Sequence, residues 1–135
     1  MEHEEIAESV KACGLLRIPS FPEEMSAADK IAALESHLLD TARWRSVMED
    51  LRIILEDEYE EIDDHWRDVT GYEMYLSGRP KSKEDIDEAK RQVNRDLFTL
   101  RRTVIKLMRQ VGNQIRRLEK DDAVVSRAYT MLTGS

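Results

Sequence analysis

Two long stretches in which apolar residues recur at steps of three and four positions constrain this chain most. The first covers residues 41–76 and the second begins at Ser82 and runs to residue 120. Such spacing places the apolar side chains along one side of an α-helix. Between the two stretches, Gly78 favours a left-handed helix stop and Pro80 cannot continue a helix. The pattern therefore predicts two long helices that run antiparallel on either side of a tight turn.

A shorter helix is predicted at the N-terminal side of this hairpin. Residues 3–13 have helical spacing, and Gly14 is a natural stop. Residues 15–25 contain Pro19 and Pro22, which favour extended backbone in themselves and in the residues before them. We expect this segment to be a linker that packs along a groove of the protein or its partner, because it holds too many apolar residues for a linker that is free in solvent.

Several local signals suggest where the helices begin and end. Ser26 is an N-cap candidate for a helix that precedes residue 41, since its hydroxyl can accept a hydrogen bond from a first-turn amide. Asp40-Thr41 either ends a helix or shifts its phase, and Gly71 is a weak point. Asp121-Asp122 is expected to start a separate, short last helix.

The predicted fold class is all-α, a long antiparallel helical hairpin with short flanking N- and C-terminal helices. We divide it into an arm of N-terminal helix and Pro-containing linker, residues 1–25, and a hairpin domain, residues 26–135. The apolar stripes exceed what one copy covers, so we expect assembly into a helical homo-oligomer. The predicted oligomer interface comprises Trp44, Leu51, Leu55, Ile62, Trp66, Val93, Leu97, Leu100, Val104, Leu107 and Val111. Four further residues are expected to widen the apolar face of the second helix, namely Phe98, Ile105, Met108 and Ile115.

The composition favours helices and a reducing compartment. Five glycines and three prolines are few for 135 residues, and such scarcity favours long helices over sheets. Cys13 is the only cysteine, so the chain forms no internal disulfide. The first residues are acidic, unlike a signal peptide, and no apolar run is long enough to cross a membrane. We therefore expect a cytoplasmic protein without a membrane partner.

Charge is distributed unevenly along the chain. Residues 1–70 hold 19 acids and 7 bases, whereas residues 71–135 hold 9 acids and 14 bases. One interpretation is that the acidic and basic arms neutralise each other, in the fold or across a homo-oligomer. The other is that the basic arm binds an acidic protein or single-stranded nucleic acid. The candidate nucleic-acid-binding residues are Arg79, Arg91, Arg95, Arg102, Lys106, Arg109, Arg116 and Arg117.

A set of four carboxylates supports an enzymatic alternative. Glu58 and Glu61 lie three residues apart on the first long helix, and Glu84 and Asp87 repeat that spacing on the second. This pattern is similar to the acidic signature of the all-α MazG-like nucleotide pyrophosphohydrolases. The resemblance implies a magnesium site that holds a nucleoside triphosphate for hydrolysis. The simpler interpretation is a solvated charged face. Elsewhere the sequence offers no catalytic constellation and calls for no cofactor.

The turn itself carries a second resemblance. The string Tyr72-Glu73-Met74-Tyr75-Leu76-Ser77-Gly78-Arg79 closes a long helix that starts near Arg43-Trp44. In this turn region the chain resembles the phage UvsY-type recombination mediators. Members of that family are small all-α proteins that form ring-like oligomers, bind single-stranded DNA and help to load a recombinase. The resemblance implies that Tyr75, Ser77, Gly78 and Arg79 belong to this turn and that Arg67 lies on the basic approach to it.

The function we expect is that of a non-enzymatic, self-associating α-helical adaptor. Its more specific form is a single-stranded nucleic-acid-binding recombination mediator that uses the basic helix. The alternatives are the magnesium-dependent pyrophosphohydrolase and a structural assembly protein, for example of a phage virion.

Overall fold

The chain folds into three α-helices over the residues that the structure describes. The computed structural model describes residues 2–75 and 83–134, with the side chains of 66–90 and 92–94 left aside. Helix α1 is His3–Cys13, α2 is Ala27–Tyr75 and α3 is Lys83–Thr133, and the described residues contain no strand. No helix in these ranges is apolar over a length that would cross a membrane. The all-α prediction is confirmed.

The predicted N-terminal signals are also confirmed. Helix α1 ends at Cys13, and the backbone N–H of Gly14 donates to the carbonyl of Val10 over 3.0 Å. The segment from there to Ser26 contains turns and irregular backbone but no helix. Ser26 caps α2, since its hydroxyl oxygen accepts a hydrogen bond from the N–H of Asp29 at 3.1 Å.

Both long helices are continuous where a break was foreseen. Helix α2 passes through Asp40-Thr41 and Gly71, and α3 passes through Asp121-Asp122 to Thr133. The separate C-terminal helix is therefore wrong, because its residues are the last turns of α3. An i,i+4 ion pair of 3.2 Å between Arg117 and Asp121 bridges the point of the expected break.

The chain divides into two compact units, each with its own packing. We call residues 1–52 and 109–135 the bundle unit, and residues 53–108 the hairpin unit. In the bundle unit, Tyr129 donates to Glu35 at 3.0 Å and Arg45 pairs with Glu119 at 2.9 Å. Glu35 precedes Arg45 on α2, whereas Tyr129 follows Glu119 on α3, so the two helices run antiparallel in this unit. The bundle core comprises Ile6, Val10, Cys13, Leu34, Met48, Leu51, Val111, Ile115, Leu118 and Val125.

Over the residues described, the hairpin unit is built from α2 and α3. Its buried apolar residues among those described are Leu55 and Ile62 on α2, and Val104 and Leu107 on α3. This spacing of seven positions on α2 and three on α3 forms the apolar seam of each helix. The seam is where the two helices meet.

The predicted oligomer interface needs a correction. Six of its residues are no more than 6% exposed within one chain, namely Leu51, Leu55, Ile62, Val104, Leu107 and Val111. They are not accessible to a second copy, because the seam of α2 is already covered by the seam of α3. Of the others, Trp44 and Leu97 are half-buried, Leu100 is exposed, and the side chains of Trp66 and Val93 lie outside the described residues.

A single arginine attaches the end of α1 to α3 in the bundle unit. The Arg117 guanidinium donates to the carbonyl of Cys13 at 2.7 Å and to that of Leu16 at 2.8 Å. It also donates to the side chains of Gln114 at 3.0 Å and Asp121 at 3.2 Å. The Cys13 carbonyl ends α1, where helix carbonyls have no intrahelical partner, and the Leu16 carbonyl lies three residues beyond that end. Arg117 is thus a structural clasp.

Cys13 lies under this clasp and takes a packing role. Its side chain is fully buried. Burial raises the pKa of the thiol, and the neighbouring Arg117 only partly opposes that effect. A thiol with a raised pKa holds little reactive thiolate near neutral pH.

Two buried polar atoms of α2 have no hydrogen-bond partner among the described residues. They are Nε2 of His37 and Oγ1 of Thr41, one helical turn apart in the bundle unit. An unsatisfied buried hydroxyl costs folding free energy. This pair is therefore a weak point of an otherwise apolar core.

Replacing the Thr41 hydroxyl by a methyl group should stabilise the protein. We expect Thr41→Val to raise the free energy of unfolding by about 1 kcal/mol, because shape is kept while the unsatisfied oxygen is removed. The matched control is Thr99→Val, whose exposed hydroxyl donates to the carbonyl of Arg95 at 3.0 Å. Urea unfolding measures both, and a Thr41→Val variant less stable than wild type would contradict the assignment.

Removing the clasp should loosen α1. We expect Arg117→Met to lower the free energy of unfolding by about 2 kcal/mol, because the carbonyls of Cys13 and Leu16 lose a charged donor. Amide hydrogen exchange should accelerate in α1 before it does elsewhere. The control is Arg116→Met at the exposed neighbouring position, which should stay within about 0.5 kcal/mol. Equal losses in the two variants would show that Arg117 is not a clasp.

Candidate nucleic-acid interface

In the hairpin unit, the side of α3 opposite its seam carries exposed basic residues. Arg102 and Lys106 are exposed, while Val104 between them is fully buried. Arg91 and Arg95 are exposed too, and they precede Arg102 by whole numbers of helical turns. The fixed position of the seam therefore places these cations in solvent.

An aromatic ring lies within this row. Phe98 is 61% exposed, and the guanidinium carbon of Arg102 is 5.8 Å from the centroid of its ring. That distance is in the range of a cation–π contact. Phe98 and Ile105 do not widen the buried face as expected, since Ile105 is 37% exposed, whereas Ile115 is buried. Phe98 precedes Val104 by six residues, which turns it roughly 120° away from the seam.

We call Phe98, Arg102 and Lys106, with Arg91 and Arg95, the basic face of the hairpin unit. Arg101 is exposed but points toward α2, where its guanidinium donates to the Tyr59 hydroxyl at 2.9 Å. That hydrogen bond raises the pKa of Arg101 above its usual value. Arg101 is therefore a contact between the two helices of the hairpin unit.

In the bundle unit, α3 also bears cations on the side away from its core. Arg109 and Arg116 are exposed, and Arg116 donates to the side chain of Asn113. Lys120 and Arg127 continue the same row and are exposed, although they are not among the predicted nucleic-acid-binding residues. Their spacing could have identified them. Lys120 follows Arg116 by four residues and Arg127 follows Lys120 by seven, which places them on the same side of α3.

Two of the predicted nucleic-acid-binding residues do not join these rows. Arg117 is half-buried and its guanidinium is engaged by Cys13, Leu16, Gln114 and Asp121. Its assignment as a nucleic-acid ligand is therefore wrong, because its donors are used inside the bundle unit. Arg79 lies outside the described residues.

The side of α2 opposite its seam is acidic in the hairpin unit. Asp57, Glu60 and Glu61 are exposed there, whereas the seam residue Ile62 is buried. The two helices of this unit thus present opposite charges on their outer sides. Phosphate groups would be attracted by α3 and repelled by α2.

The four-carboxylate alternative is only partly covered by the described residues. Glu58 is half-buried and Glu61 is exposed, while the side chains of Glu84 and Asp87 lie outside them. In the part of the chain with described side chains, no three His, Cys, Asp or Glu residues are grouped to hold a metal ion. The magnesium site implied by the MazG-like resemblance stays a prediction.

Comparisons with known proteins add no relative to this picture. No family model matches the chain, and neither the curated proteins nor the solved structures gave a significant match. The resemblance to UvsY-type mediators therefore rests on the residues of the turn alone.

Proposed function

We propose that this chain is a non-enzymatic cytoplasmic adaptor that binds single-stranded nucleic acid along the outer side of α3. The observation that carries the proposal is the basic face of the hairpin unit, where exposed cations lie on the same side of α3 as an exposed phenyl ring. In its more specific form the adaptor is a recombination mediator, as the turn of the UvsY-type family suggests.

The charge of the basic face suits a phosphate backbone. Neutralising phosphates by Lys and Arg releases condensed counterions, which drives binding without regard to base sequence. Arg102 and Lys106 lie one helical turn apart and are both exposed. Their side chains can therefore contact successive phosphates of one strand.

The exposed ring distinguishes a single strand from a duplex. Phe98 can stack on an unpaired base, whereas the bases of a duplex are already stacked on each other. Arg102 beside the ring adds a cation that favours such a platform. The acidic outer side of α2 repels phosphate and confines a bound strand to α3.

Loss of the two central cations should weaken binding of a single strand. We expect Arg102→Gln with Lys106→Gln to reduce the affinity for a fluorescent oligothymidylate roughly tenfold at low salt, because two phosphate contacts are lost. The slope of log affinity against log salt should become shallower by roughly 1.4, or about 0.7 per contact. Fluorescence anisotropy across a salt series measures both quantities.

The matched control removes the same charge elsewhere. Lys11→Gln with Arg43→Gln changes two exposed residues of the bundle unit, on α1 and α2, and should leave the salt slope unchanged. Equal effects of the two double variants would mean that only net charge matters. Wild-type protein that does not retain the oligonucleotide at low salt would refute the proposed function.

The aromatic contribution can be separated from the ionic one. We expect Phe98→Ala to cost about 1–3 kcal/mol of binding free energy while the salt slope stays that of wild type, because stacking releases no counterions. Stability should hardly change, since the ring is exposed. Unchanged affinity in Phe98→Ala would contradict the stacking role.

A further inference from the structure

The acidic outer side of α2 in the hairpin unit also carries exposed apolar side chains. Ile53 is 52% exposed and Ile54 is 37% exposed. Asp57 and Glu61 follow Ile53 at successive steps of four residues and are exposed. We call Ile53, Ile54, Asp57, Glu60 and Glu61 the acidic face. Aliphatic side chains bordered by like charges form a surface suited to a partner of opposite charge.

The basic face has the same layout with the charges inverted. Phe98, Arg102 and Lys106 are spaced by the same steps of four residues as Ile53, Asp57 and Glu61. One position differs, since Ile105 on α3 occupies the place that Glu60 occupies on α2. Each helix therefore presents an apolar residue followed by two charges, acidic on α2 and basic on α3.

The two faces cannot neutralise each other within one chain. Each lies on the side of its helix opposite the seam, and the seams of α2 and α3 meet in the core of the hairpin unit. The Arg101–Tyr59 hydrogen bond joins the two helices between these sides. The side chains of Asp57, Glu61, Arg102 and Lys106 are exposed and are therefore open to another molecule.

We propose that the acidic face of one copy docks on the basic face of a second copy, with the two helices parallel. In that register Ile53 packs on Phe98, Asp57 pairs with Arg102, and Glu61 pairs with Lys106. An antiparallel register would set Ile53 against Lys106 and Glu61 against Phe98. Parallel packing brings equivalent positions of two helices opposite each other, which gives the matched pairs.

This contact joins two different surfaces, so each copy keeps one unused face for a further neighbour. Such heterologous contacts build rings or open chains instead of stopping at a dimer. The contact depends on exposed charges and should weaken as salt screens them. The interface does not depend on the proposed function.

Self-association and nucleic-acid binding then exclude each other. Arg102, Lys106 and Phe98 serve both surfaces, so a strand on the basic face displaces the neighbouring copy. This consequence alone rests on the proposed function. Nucleic acid would then dissociate the assembled form into single chains whose basic faces are able to bind it.

A pair of charge reversals tests the docking. The first variant is Asp57→Lys with Glu61→Lys, and the second is Arg102→Glu with Lys106→Glu. Light scattering at low salt should give wild type a mass above the 15.7 kDa of one chain and each variant the mass of one chain. The 1:1 mixture of the two variants should regain a higher mass, because the reversed faces of the two match. Glu8→Lys with Glu24→Lys changes the charge equally at exposed bundle-unit positions and should assemble like wild type.

A variant without a charge change provides a second measure. Ile53→Ser, at an exposed position, should weaken assembly at least several-fold while circular dichroism shows an unchanged helix content. The proposal is overturned if the wild-type protein has the mass of one chain at every concentration. It is also overturned if both reversal variants have the same assembled mass as wild type. A mixture that stays at one-chain mass overturns the pairing.

Nucleic acid separates this proposal from the proposed function. The first reversal variant keeps its basic face and should bind oligothymidylate at least as tightly as wild type. If masses behave as expected but neither protein binds the oligonucleotide, the proposed function fails and the docking stands. If both bind it while wild type has the mass of one chain, the docking fails and the proposed function stands.

Discussion

The packing of the apolar seam of α2 against the apolar seam of α3 is the interaction on which the rest of the structure depends. In the hairpin unit it is the contact between Leu55 and Ile62 on one helix and Val104 and Leu107 on the other that buries apolar surface. Burial of such side chains contributes about 1.5–3 kcal/mol each. Because a helix is rigid, fixing one side also fixes the direction of every other side chain. The outer charges are exposed as a consequence of the seam.

In the bundle unit, a third helix, α1, buries apolar side chains together with α2 and α3. Helix α1 buries Ile6, Val10 and Cys13, while Arg117 binds the carbonyls at its end. A cation that looks like part of a basic row in the sequence is thus used to hold a short helix in place. Position on the helix decides the role, since Arg117 faces α1 whereas its neighbour Arg116 is exposed.

The heptad spacing predicted the helices correctly because burial of an apolar side contributes most to their stability. Asp40-Thr41 and Asp121-Asp122 were expected to disturb the helices, since these residues have weak helix propensity. Burial of Thr41 and the ion pair of Asp121 with Arg117 accompany an unbroken helix at both places. Helix propensity is a single-residue quantity and reports neither burial nor an i,i+4 ion pair.

The sequence predicted the charge of the site but not which of its residues contact other parts of the chain. Arg102, Lys106 and Arg109 were identified from spacing alone, and the structure places them in solvent. Arg117 was misassigned because its acceptors are backbone carbonyls about a hundred residues away, which no sequence pattern displays. The seam residues were misassigned to an oligomer because an apolar stripe does not indicate whether its cover comes from the same chain.

The most direct test of this account is a nuclear magnetic resonance titration with a short oligothymidylate at low salt. The largest amide shift changes should follow the helical period at Phe98, Arg102 and Lys106. The amides of α1 in the bundle unit should change little. Shift changes centred on α1, or none at all, would contradict the claim that the seam turns a nucleic-acid-binding surface outward.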